Sequence, residues 1–127
     1  MTKQEVMRQV RQAKSAHIRW RAYAQAMVAG LDVEDEHAPI HHKECSFGKW
    51  YYGDGARTFG HWLIYKDIED SHELLHALYK KIYEACKAGK TRQAQQLTEQ
   101  LIGISRTLLD AIGLLEEEIR ETEEELF

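Results

Sequence analysis

His72 and His76 stand four residues apart in a segment whose apolar positions recur every three to four residues. On a helix that spacing projects both rings from one face, about 6 Å apart, close enough for two imidazoles to share a metal ion. Such a pair alone says little, because exposed helices carry it by chance. His17 adds to it: it falls where the periodicity calls for an apolar residue, and a buried imidazole without a partner costs about 1–3 kcal/mol. A lone histidine in such a place is ordinarily a core residue bonded to a carbonyl. Cys45 opens the run Cys45-Ser46-Phe47-Gly48-Lys49-Trp50, read as the start of a short helix, whose free N–H groups favour a thiolate. Three imidazole nitrogens and a thiolate make a tetrahedral zinc set, with Zn–N about 2.0–2.1 Å and Zn–S about 2.3 Å. The four residues fall on three different helices, so the set works only if a bundle forms.

The pattern supplies such a bundle. Thr2 and Glu5 form a capping box, and Val6, Val10, Ala13, His17, Trp20, Ala24, Met27 and Leu31 then recur on one face of a helix over 3–30. Gly30, the acidic stretch 32–36 and Pro39 mark a loop. The short helix from Cys45 to Tyr52 follows, and Gly53, Gly55 and Gly60 read as turn residues. Tyr65, Ile68, His72, Leu75, Tyr79, Ile82 and Cys86 share a face of the next helix, which starts near Trp62 and ends at Gly89. Thr91 is the expected cap of a last helix carrying Leu101, Ser105, Leu108, Ile112, Leu115, Ile119, Thr122 and Leu126. The expected fold is all-α: an antiparallel four-helix bundle with a short helix carrying Cys45, in a single domain spanning 1–127.

Composition narrows the partners. The 127 residues carry 17 Lys and Arg against 21 Asp and Glu, net −4, which leaves no strong basic field for a nucleic acid or an anionic membrane. No apolar run approaches the roughly 18 residues of a membrane span, and the first residues lack the apolar core of a secretory leader. Two cysteines are too few for a disulfide framework, so a cytoplasmic protein with reduced thiols is expected. Charge is unevenly spread. Residues 2–31 hold six basic side chains and one acid, and residues 110–127 hold one basic and eight acids. In an antiparallel bundle these ends face each other. Glutamates at a helix C-terminus oppose its dipole, so the stripe through Ile112, Leu115, Ile119 and Leu126 is expected to be packed, through a homodimer or on a partner helix.

His17-Ile18-Arg19-Trp20, then Cys45-Ser46-Phe47-Gly48-Lys49-Trp50, then His72-Glu73-Leu74-Leu75-His76 follow one another in that order. Together they resemble the bacterial chemoreceptor zinc-binding domain, whose pattern is H-x-x-W, C-x-F-G-x-W and H-x-x-x-H. Each piece is weak alone; the ordered triple is specific. The resemblance implies Zn2+ held by His17, Cys45, His72 and His76, with Trp20, Phe47 and Trp50 packed around them. It also implies a regulatory role beside chemoreceptor signalling regions or diguanylate cyclases, sensing zinc or oxidants such as hypochlorous acid through the cysteine. No catalytic or signalling module is present in these 127 residues, so the expectation is a stand-alone sensory domain that is not an enzyme.

Other readings compete. An interaction module whose zinc only staples the fold would leave Cys45 inert. A di-iron bundle of the hemerythrin or ferritin kind is suggested by Glu69-x-x-His72 and Glu73-x-x-His76, yet it needs that motif on two helices and a Glu from each of two more. A zinc hydrolase needs an open coordination position, which four protein ligands close. His37, His41 and His42 read as solvated loop residues rather than a second site, and His61 is given no role. Cys86 lies ten residues beyond His76, roughly 15 Å along the helix, too far to join the metal or pair with Cys45. It is expected to be a buried small hydrophobe.

Overall fold

The computed structural model describes residues 2–30 and 42–123. Thr2 caps α1 (Lys3–Val28): its hydroxyl accepts from the Glu5 N–H, and the Glu5 carboxylate returns a bond to the Thr2 N–H. Cys45 precedes α2 (Ser46–Tyr52), which runs after one residue into α3 (Asp54–Phe59). The stretch read as turns around Gly55 is thus a second short helix, because Gly55 sits against Trp50 and the Tyr65 hydroxyl, where a side chain has no room. Next come α4 (Leu63–Lys87) and α5 (Thr91–Glu121). Gly89, at φ +72°, ends α4 with the paired bonds Lys90 N–H to Ala85 C=O and Gly89 N–H to Cys86 C=O, a left-handed turn that favours glycine. Thr91 does not cap α5. It is the first helical residue, after Lys90, and no side chain caps that end.

Cross-helix contacts fix the directions. Lys3 donates to the Arg120 carbonyl, Lys14 Nζ lies 3.6 Å from Glu116, and His17 Nε2 is 2.9 Å from Ser105 Oγ, so α1 and α5 run antiparallel. Trp20 packs edge-on against Tyr79, while Trp50 Nε1 donates to Gln9 Oε1 at 3.3 Å. With Cys45 level with His72, α2 therefore descends as α1 and α4 ascend. The result is an all-α, up-down-up-down bundle in which the short α2 and α3 fill the second place.

The core comprises the stripes expected for α1, α4 and α5, including Val6, Val10, Ile68, Ile82, Leu108, Ile112, Leu115 and Ile119, joined by Phe47 and Phe59. Fully burying each such side chain is worth roughly 1.5–3 kcal/mol. The expected role of the α5 stripe changes as a result. Ile112, Leu115 and Ile119 are buried within the chain's own core, leaving no apolar stripe there for a partner; Leu126 lies outside the described residues. Tyr51 and Tyr65 tie α2 to α4: their rings stack at 4.3 Å and each hydroxyl donates to the other residue's carbonyl. Among the described residues, no helix is long and apolar enough to cross a membrane.

Candidate metal centre

Cys45 is the N-cap of α2. Its sulfur accepts the Gly48 N–H at 3.1 Å, and its thiol donates to the His42 carbonyl at 3.3 Å. The helix start can fold this tightly only with glycine at 48, since a Cβ there would collide with the His42 carbonyl. The sulfur is thereby held 3.3 Å from His72 Nε2. His76, one turn on, places its ring centroid 4.8 Å from that of His72. Donor atoms of Cys45, His72 and His76 all lie within 4.8 Å of one another. For comparison, a tetrahedral zinc with the bond lengths above sets its N and S donors about 3.3–3.6 Å apart.

A cavity of about 30 Å³ is lined by these three side chains and by His17, Arg21, Trp20, Phe47 and Tyr79, enough for a single water-sized occupant. His72 is 2 % exposed, and its Nδ1 has no hydrogen-bond partner among the described residues. A buried polar atom left in this way costs about 1–3 kcal/mol. One soft thiol, two imidazoles and room for one ion fit a zinc-type centre. Phe47 packs on His72 at 4.6 Å and Trp20 lies 6.3 Å from His76, as expected of packing neighbours. Trp50 is one step removed, against Phe59 and Tyr65, and fastens α2 to α1 through Gln9.

His17 lines the same cavity, but its Nε2 is bonded to Ser105 Oγ, which Arg21 also approaches at 3.4 Å. The structure thus brings Cys45, His72 and His76 together and leaves His17 beside them. Burial, then Arg21 and His76, push the His17 pKa down to about 4. Burial, then His76, His42 and His17, push His72 down to about 3. Both rings are therefore neutral at pH 7, the form that offers a lone pair to a metal. The Cys45 thiol moves up: burial outweighs the N–H groups at the start of α2. Without a metal the helix terminus does not secure a thiolate there, contrary to the sequence-based expectation.

Two residues at the site had no signal in the periodicity. Ser105 read as an ordinary stripe position of α5, and its role emerges only when α5 meets α1. His42 read as a solvated loop residue, yet its ring lies 5.8 Å from His72 and 6.4 Å from His76, with Nε2 3.3 Å from Glu73 Oε1. His37 and His41 lie outside the described residues. His61 accepts from the Trp62 indole at the surface. Cys86 is half-buried against the core rather than fully buried, and both cysteines are free. The di-iron reading lacks support: the Cys45–His72–His76 group includes no carboxylate, and Glu69 accepts from the Tyr52 hydroxyl.

The model of the chemoreceptor zinc-binding domain matches residues 17–83, more than half of the chain. The chain belongs to the chemoreceptor zinc-binding domain family. The matched span begins at His17 and includes Cys45, His72 and His76. Compared with curated proteins and with solved structures, the domain matches none.

Proposed function

We propose that this chemoreceptor zinc-binding domain is a regulatory module that binds one Zn2+ per chain through His17, Cys45, His72 and His76 and reports on zinc or oxidants. It is not an enzyme, since four protein ligands close the coordination sphere that zinc catalysis needs open. The supporting observation is the convergence of Cys45, His72 and His76 on one small cavity. His17 lines that cavity and exchanges Ser105 for the metal. Bound zinc supplies positive charge that keeps Cys45 a thiolate. Hypochlorous acid then converts thiolate to sulfenic acid: sulfur gains OH and loses two electrons, and chlorine leaves as chloride. Cys45 thereby loses the charge that binds zinc, and its hold on Gly48 and on the start of α2 loosens. Metal analysis of the purified protein tests this. His72→Ala and His76→Ala are expected to lose most of the zinc, and full retention in both would sink the assignment.

A purely structural zinc is the second reading, favoured by Cys45 being only 3 % exposed. It predicts that a mild oxidant leaves Cys45 unmodified and the affinity for zinc unchanged.

The domain is placed in the cytoplasm, with chemoreceptor or diguanylate cyclase signalling regions as partners and no nucleic acid. A homodimer belongs to this reading on a new surface. Leu114 is 52 % exposed on α5 beside the exposed acids Asp110, Glu117 and Glu118, and α1 exposes Arg8, Arg11 and Arg19. The two faces complement each other between copies. Light scattering is expected to find a dimer that Leu114→Glu converts to monomer; a wild-type monomer at high micromolar concentration would refute it.

A further inference from the structure

We propose that His42 is a reserve metal ligand, one that takes over the position of Cys45 when the sulfur is lost. The inference rests on the zinc reading above and goes beyond its four ligands. Two imidazoles on one tetrahedral zinc have ring centroids about 5 Å apart, given Zn–N of about 2.0–2.1 Å. His72 and His76 meet that spacing at 4.8 Å. His42 lies 5.8 and 6.4 Å from them, so a shift of about an ångström brings it into the same shell.

In the metal-free domain its backbone is set beside the cysteine it would replace. The His42 carbonyl accepts from the Cys45 thiol, and α2 folds over that carbonyl at Gly48. His42 therefore approaches the cluster from the side on which Cys45 stands, whereas His17 approaches from α1 and Ser105. The ring rests against Glu73, which lies between His72 and His76 in the chain and exposes about half of its side chain. Releasing Glu73 returns the carboxylate to solvent, while the imidazole passes from a carboxylate to a metal, a partner that neutral histidine suits. A domain built this way holds zinc more weakly after the thiolate has gone, so that a competing chelator takes the metal, yet the metal-free site can still rebind it through His42.

The test uses the full chain, Zn2+ alone as ligand and a competing chromophoric chelator. Cys45→Ser is the preferred background, because serine also caps helices and keeps the Gly48 bond. Cys45→Ser is expected to bind zinc more weakly than wild type, and Cys45→Ser/His42→Ala to bind it at least about tenfold more weakly still, the low end of what loss of a metal-supporting side chain costs. His42→Ala with Cys45 intact is expected to lose less. Equal affinity of the single and double serine variants would overturn the proposal, as would complete loss of zinc in Cys45→Ser. So would a drop in Cys45→Ser/Glu73→Gln that the His42 variant does not show, since the carboxylate would then be the replacement ligand. If Cys45→Ser is unfolded without metal, recovery of helical circular dichroism on adding zinc is the readout, and it must require His42. Failure of the wild type to bind zinc would instead sink the reading on which the proposal rests.

Discussion

His17 and Ser105, 88 positions apart in the chain, meet in the core at 2.9 Å between Nε2 and Oγ. The bond satisfies a buried imidazole in the metal-free domain and occupies the ring nitrogen through which His17 would join the proposed four-ligand site. Ser105→Ala removes it, so the metal-free domain should lose about 1–3 kcal/mol of stability, the cost of an orphaned buried polar group. Zinc affinity should rise, by up to about tenfold for a competing bond worth about 0.5–1.5 kcal/mol. Denaturant titration and zinc competition measure the two effects. A fall in affinity would mean that Ser105 supports the metal rather than competing with it.

The lowered histidines give the metal-free domain a defined response to acid. His17 and His72 titrate near 4 and 3 when folded, against about 6.5 unfolded. The unfolded chain therefore binds more protons between these values, and stability falls as pH drops through that window. Above about pH 6.5 both states are neutral and the contribution is flat. Each histidine contributes a slope of at most about 1.4 kcal/mol per pH unit. Thermal melts of metal-free protein should be level from pH 8 to 7 and fall steadily from pH 6 to 4.5. In His17→Phe the fall should be shallower. A melting temperature that holds through pH 4.5 would contradict the burial of neutral rings.

How much of this was legible in the sequence depends on whether the signal was local. The helices that place His72 and His76 follow from apolar spacing, and the Thr2–Glu5 box and Gly89 mark ends that the backbone adopts. Cys45 was visible through its motif. Its protonation was not, because the thiol's burial in the assembled core outweighs the N–H groups of the α2 terminus. α3 was hidden by the glycines in and around it, of which Gly55 lets α3 approach Trp50 and Tyr65. His42 and Ser105 owe their roles to contacts across elements, which no periodicity encodes. The fate of the α5 stripe was legible as packed; that its partner is the same chain was not.

Gly48 and Gly103 are expected to respond in opposite ways to the same methyl group. At Gly48 the added Cβ meets the His42 carbonyl, a backbone atom that cannot swing aside. Gly48→Ala should push the Cys45 turn off α2, weaken zinc binding and destabilise the domain by roughly 1–3 kcal/mol, as overpacking does. At Gly103, within α5, nothing lies within 4 Å of the added Cβ. Gly103→Ala should stabilise by about 0.5–1 kcal/mol with zinc affinity unchanged. Melting temperature and zinc competition on the pair give the comparison, and a Gly48→Ala protein with wild-type affinity would show that Cys45 is not positioned through that turn.

The two cysteines should exchange their order of oxidation with the state of the metal. Burial raises both thiols above their ordinary range in the metal-free domain, but Cys45 is 3 % exposed whereas Cys86 is half-buried at the surface of α4. The thiolate is the reactive form and access sets the rate, so without metal Cys86 should react first. With zinc bound, Cys45 is held as thiolate and Cys86 is unchanged, so Cys45 should become the faster site and zinc should pass to a competing chelator as it reacts. Peptide mass spectrometry after a limiting dose of hypochlorous acid, on zinc-loaded and metal-free samples, reads the order directly. Cys86 reacting first in both samples, with zinc retained, would favour the structural metal over the sensor.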